Sequence, residues 1–185
     1  MRLGWTSRYG LVIVLVLAPA VAFPAGAKKA GTTKSQPAAG PDVALGYSYT
    51  HSGEASLNGW QLDGTFPVTR SWRVVLDLNG HYGSFAGADL SQLGFFVGPR
   101  RVFHGERLVP FAEALLGLEH RSASAGGVED SHTDWGFAFG GGADYRLGGP
   151  WKVRLEADLM LLHPEGGWDT DPRLSLLGVY SFGRR

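Results

Sequence analysis

The chain has 185 residues, 44% hydrophobic and 12% aromatic, with 17 Lys and Arg balanced by 17 Asp and Glu and no cysteine. That length suits one domain plus a targeting segment. The missing cysteine excludes disulfides, thiolate metal sites and a lipidated N-terminal Cys, and the balanced charge excludes a basic nucleic-acid-binding face.

The first stretch, "MRLGWTSRYGLVIVLVLAPAVAFPAGAKKA", has a basic n-region at Arg2 and Arg8, an apolar core from Leu11 to Leu17 and an A-x-A-like site at Ala25–Ala27. It reads as a signal peptide over 1–27, cut there or after Ala22, and its apolar run is too short for a spanning helix, which needs ~20 residues. Removing it takes away two Arg and no acids, leaving a formal −2. Residues 28–41, "KKAGTTKSQPAAGP", are small, polar and aperiodic, which predicts a flexible periplasmic tether. The domain itself is expected over 42–185.

From Asp42 onward, short alternating runs recur between Gly, Pro, Ser and Asp clusters. They are 43–50, 59–67, 72–83, a weaker run at 90–98, 108–120, 134–147, 150–164 and 173–182. In "PWKVRLEADLMLLHP" (150–164), Trp151, Val153, Leu155, Ala157, Leu159 and Leu161 share one parity, and Lys152, Arg154, Glu156 and Asp158 share the other. Side chains alternate faces along an extended chain, so each run is a strand with one apolar and one polar face. Eight evenly spaced short strands predict an all-β fold, an eight-stranded antiparallel up-and-down barrel. "VTRS", "RRVFHGER" and "GGP" read as short turns at one rim, together with both termini. The segments 121–133 and 163–171 read as longer polar loops at the other rim. In an outer-membrane barrel the short-turn rim would face the periplasm.

Alternation alone does not say which face is wet, because a soluble ligand-binding barrel shows the same pattern inverted. Aromatics on the apolar parity decide it. Trp72 and Tyr82 lie ten residues apart, as do Trp135 and Tyr145. At ~3.3 Å per residue and a tilt of ~40° this spans ~25 Å along the normal, the height of a lipid-facing band between aromatic girdles. The girdle is expected to comprise Trp60, Phe66, Trp72, Tyr82, Trp135, Tyr145, Trp151, Tyr180 and Phe182. The polar parity carries Asp63, Arg73, Asp77, Glu113, Glu119, Asp144, Arg146, Lys152, Arg154, Glu156, Asp158 and Arg173. Each Lys or Arg turned to lipid would cost ~2–4 kcal/mol near the midplane. The ions are therefore expected inside a transmembrane barrel, as a paired network, with Asp63–Arg73 and Asp144–Arg154 as cross-strand candidates.

The eight runs, the "FGGGADYRLGGPWKVRLEADLM" hairpin and the terminal "LGVYSFGRR" resemble small bacterial outer-membrane β-barrel proteins of the OmpA-like and porin-like kind. The resemblance implies an outer-membrane location, contact with outer-membrane lipids, and recognition by the barrel-assembly machinery through the last strand. There Tyr180 and Phe182 match the alternating aromatics of the family, although Gly183, Arg184 and Arg185 follow them. The sequence departs from full-length OmpA-type proteins by stopping at Arg185, so their peptidoglycan-binding domain is expected to be absent.

Other chemistry is sparse. None of the six histidines has H-E-x-x-H spacing. Glu129, Asp130, His132 and Asp134 in "EDSHTD" could hold a cation, but read more simply as a solvated acidic loop. His51 beside Ser52 with Glu54, and Ser131 beside His132, are the Ser–His pairs a lipid A deacylase would use. Adjacent residues on a strand face opposite sides, so neither pair meets directly. "GGGA" (140–143) lies within a strand with no helix after it, so it reads as close packing or bending rather than a phosphate loop. The expectation is a non-enzymatic integral barrel without cofactor or metal, with a structural or surface-interaction role and possible ligand contact at 121–133 and 167–172. The alternatives are a narrow pore, a lipid A-modifying barrel and a soluble ligand-binding barrel.

Overall fold

The computed structural model describes residues 40–164 and 166–183, the Glu129 side chain excepted. The expected signal peptide and nearly all of the expected tether lie outside them. The described chain folds into eight strands, β1 (Asp42–Ser52), β2 (Ala55–Pro67), β3 (Trp72–Phe85), β4 (Ala88–Val102), β5 (Leu108–Ala125), β6 (Val128–Gly148), β7 (Trp151–His163) and β8 (Asp169–Ser181). Each pairs antiparallel with the next and β8 closes on β1, so the sheet has no free edge.

Register sets the shape of this barrel. A row across the sheet that starts at Asp42 passes Thr65, Val75 and Gly98 and, over the gap in the β4–β5 ladder, Leu115, Ala138, Met160 and Asp171. The β1–β8 register carried two residues further puts Asp171 opposite Ser52, so the row returns to β1 ten residues above its start. For eight strands that stagger corresponds to a tilt of ~40°, and such a barrel has an interior only wide enough for side chains to fill.

The apolar faces point outward: Leu45 is 58% exposed, Leu116 51% and Leu176 55%. Ions and hydroxyls point inward, where Arg100, Arg154 and Arg173 are each at most 2% exposed. This is the arrangement of a membrane barrel, and it rules out the inverted, soluble reading of the alternation. The interior is not wholly ionic. Val75, Phe96, Leu115, Ala138, Met160 and Leu162 form a buried apolar patch, and Ala44, Leu177 and Val179 form a second.

The rims differ from expectation. The 121–133 segment is not a loop: β5 runs to Ala125 and β6 starts at Val128, joined by Gly126 and Gly127 with φ of 59° and 83°. Two positive φ values in a two-residue connection give the type I′ twist that matches paired strands, and glycine adopts it without steric cost. Likewise 163–171 shrinks to a connection over 164–168, and "RRVFHGER" to 103–107, because β8 starts earlier and β4 runs further than the alternation shows.

Candidate functional site: the ionic interior and the outer rim

The interior charges form a connected central network and a separate cluster around Arg121, built from strands whose polar parity faces inward. Near the rim of the termini, Asp42 accepts from Arg73 at 2.7 Å and from Lys152 at 3.0 Å. One layer further in, Arg154 bridges Asp144 (2.7 Å) and Asp63 (2.7 Å), and Arg100 bridges Glu113 (2.5 Å), Glu156 (2.9 Å) and Asp63 (3.3 Å). Both guanidiniums lie over the Phe111 ring, at 4.1 and 5.0 Å, a contact that favours cations on an aromatic face. Arg173 donates to Asp77 (2.6 Å) and Asp158 (2.8 Å). Gln61 ties three carboxylates together, donating to Asp63 (2.9 Å), Asp77 (3.1 Å) and Glu156 (2.7 Å). At the opposite rim Arg121 binds Glu119 (2.8 Å), Asp171 (2.5 Å) and, more loosely, Asp169 (3.5 Å).

Asp144 and Arg154 face each other in the β6–β7 register and pair directly. Arg73 and Asp63 do not. In the β2–β3 register Asp63 faces Asp77 and Arg73 faces Pro67, so Asp63 takes Arg100 and Arg154 from across the barrel while Arg73 takes Asp42. Arg146 also leaves the expected network: it is exposed at the rim, donating to the Glu106 carbonyl at 3.1 Å. The remaining predicted ions, Asp77, Glu113, Glu119, Lys152, Glu156 and Asp158, lie inside, with Lys152 half-buried.

Arg100, Arg121, Asp171, Asp42 and Gln61 are network members that the sequence pattern alone did not single out. Arg100 fell within an apparent turn because Pro99 interrupts the run. The β4–β5 ladder skips Gly98 and Pro99 and resumes at Arg100↔Glu113. Even so, the parity Gln92, Gly94, Gly98, Arg100 was a legible signal.

The expected girdle residues are all exposed on the outer face. Phe66, Trp72, Tyr145, Trp151, Tyr180 and Phe182 gather near the rim of the termini, where Trp151–Tyr180 and Tyr180–Phe182 pack edge to face. Near the other rim, Trp135 stacks on His163 and meets Trp168 edge-on, and Tyr82 lies at similar height. Trp60 belongs to neither belt. It lies six residues along β2 from Phe66, its ring filling the space a side chain at Gly80 would need.

The candidate Ser–His pairs rearrange. His51 Nδ1 meets Ser56 Oγ at 3.3 Å across the β1–β2 hairpin, and Tyr49 also meets Ser56, at 2.9 Å. Among the described residues no carboxylate bonds His51, so the orienting group of a hydrolytic triad is missing from that contact. In "EDSHTD", His132 pairs with Asp134 at 3.2 Å and Asp130 is exposed, which leaves no converging ligand set among the described side chains.

A closed eight-stranded barrel with an apolar exterior and an ionic core defines a small transmembrane outer-membrane β-barrel. The chain belongs to the outer membrane protein beta-barrel domain family, whose model matches residues 13–179. Its fold is similar to Neisserial surface protein A (NspA), with 15% identity over 77% of this chain and 96% of that one and a TM-score of 0.63. It is also similar to Ail, the attachment invasion locus protein of Yersinia pestis, with 16% identity over 77% and 98% and a TM-score of 0.53. Ail in complex with the heparin analogue sucrose octasulfate matches at 15% identity over 76% and 96%, with a TM-score of 0.54. Comparison with curated protein sequences finds no match.

Proposed function

We propose that this barrel serves as a closed scaffold in the outer membrane that presents its far rim to cationic partners outside the cell. The observation that carries this reading is the charge of that rim. The segments 52–54, 84–90, 122–133 and 164–170 contain Glu54, Asp89, Glu129, Asp130, Glu165 and Asp169 and no Lys or Arg, while Arg121 just below them is buried and held by Glu119 and Asp171. Basic residues such as Arg70, Arg101, Arg107 and Arg146 lie at the rim of the termini instead, which in this reading faces the periplasm.

The β5–β6 hairpin is the main element displayed. It continues for seven residue pairs beyond Leu118↔Trp135, to Ala125↔Val128. At a tilt of ~40° that lifts its tip ~17 Å above the aromatic belt. A cleft of about 310 Å³ against its outer face is lined by Tyr82, Asp89, Leu90, Ser91, Ser122 and Ser124, with Ser91 and Ser122 in contact at 3.0 Å. Ail is solved with a sulfated glycan analogue. An acidic rim whose one arginine, Arg121, is buried and already held by Glu119 and Asp171 suits the opposite chemistry, a lysine- or arginine-rich protein face, since complementary charge steers encounter and sets specificity.

The test compares the wild-type barrel in proteoliposomes with one in which 122–131 is replaced by Asn-Gly, a turn that fits because Arg121 and His132 are register partners. The wild type should bind a lysine-rich peptide in a salt-sensitive manner, and the replacement should weaken binding several-fold while leaving the barrel folded. Unchanged binding, or a preference for a heparin-like polyanion, would overturn the reading.

A further inference from the structure

The interior holds more carboxylate than cation. Asp42, Asp63, Asp77, Glu113, Glu119, Asp134, Asp144, Glu156, Asp158 and Asp171 are buried, against Arg100, Arg121, Arg154 and Arg173, and the half-buried Arg73 and Lys152 leave the balance acidic. The imbalance concentrates on one wall. Glu113 on β5 and Asp158 on β7 both face Gly140 of β6 in register, and Glu156 faces Gly142. With no side chains on β6 at these positions, the carboxylates close in from both sides: a Cβ at Gly140 would sit 1.8 Å from Asp158 Oδ1. Glu113, Glu156 and Asp158 each offer an oxygen within 4.8 Å of the others.

The donors available do not cover this set. Arg100 takes Glu113 Oε2, Arg173 takes Asp158 Oδ2, and Glu156 is held by Arg100 and Gln61. Glu113 Oε1 and Asp158 Oδ1 are buried with no hydrogen-bond partner. Unpaired anionic oxygens in a confined interior are expensive, and each carboxylate is acceptor-only when ionised. Arg154 also approaches Glu156, at 3.8 Å, but Arg100, Arg154 and Arg173 serve Asp63, Asp77 and Asp144 as well, so three cations face six carboxylates and the surroundings remain anionic.

We propose that Glu113, Glu156 and Asp158, seated on the Gly140–Gly142 wall, bind a hard divalent cation of the calcium or magnesium class. Oxygen-only ligation by several carboxylates is the donor set such ions take. The ion bridges β5 and β7 across β6 and satisfies the two open oxygens, so binding stabilises the folded barrel alone, because the unfolded chain lacks the converging set. Sequence spacing hides the site, since Glu113 stands far from Glu156 and Asp158 along the chain and only barrel closure brings them together.

The experiment is thermal unfolding of the full chain, purified from outer membranes into detergent, in EDTA and in millimolar calcium or magnesium. Retarded, heat-sensitive migration on SDS gels establishes that each variant is folded. Wild type should melt several degrees higher with the cation. Glu113→Gln should lose that response, each variant being compared with its own melting point in EDTA so that any loss of the Arg100 ion pair does not enter the difference. A cation response of equal size in Glu113→Gln assigns the ion to the surface or to bound lipid and overturns the proposal. Insensitivity to both cations, with stability instead rising on acidification, assigns the open oxygens to a shared proton and overturns it equally.

Discussion

At the scale of single residues, this protein places charge where a membrane protein of a different architecture would exclude it. Three fully buried arginines each bind two or more carboxylates, so removing one strands several anions at once. Breaking a buried pair by deleting one partner typically costs about 3–5 kcal/mol. Arg154→Ala, which leaves Asp144 only a distant Lys152 at 4.0 Å and takes from Asp63 its 2.7 Å partner, should lower the unfolding free energy by about that amount in urea titrations of detergent-folded protein. Arg73→Ala should cost only about 1 kcal/mol, because Lys152 still holds Asp42 and the site lies at the partly solvated rim. Equal losses for the two would mean that the network does not distinguish core from rim.

The strands carry two faces, and the sequence shows them wherever alternation is clean. The apolar parity of β1, β2, β3, β5 and β7 is the outer face in the structure, so the fold was legible from periodicity and aromatic spacing. A direct test is Leu116→Arg, which puts a cation on the outer face of β5. It should cost about 2–4 kcal/mol in a lipid bilayer, whereas a neutral change in stability would place that face in water. What the sequence concealed were strand ends and partners. Small residues above the membrane belt, such as Ser122, Ala123 and Ser124, look like loop because no large apolar side chain marks them, yet they stay paired through Ala125. Pro99 similarly disguised the end of β4 and hid Arg100. The Asp63–Arg73 pairing failed for a geometric reason. Stagger carries side chains across the lumen, so the partner that reaches Asp63 comes from β4 or β7 rather than from the next strand.

For the molecule as a whole, closure and filling act together. Closing eight strands with a ten-residue stagger removes every sheet edge and leaves an interior that side chains occupy from wall to wall. Arg100, Arg154 and Arg173 cross that interior and are pinned by carboxylates on β2, β3, β5, β6 and β7, while an apolar patch from β3 to β7 fills a further part of it. A barrel built this way is a rigid stem for its outer rim, and solute passage would require breaking several charge-assisted contacts at once. The family and the solved barrels it resembles agree with this architecture but do not choose between a plug and a pore. Conductance of the purified full chain in planar lipid bilayers makes that choice most directly. A closed ionic interior predicts a silent bilayer for wild type, with current appearing only when the network is cut, as in Arg100→Ala combined with Arg154→Ala. Steady single-channel openings by the wild-type protein would contradict the closed scaffold and make this barrel a pore.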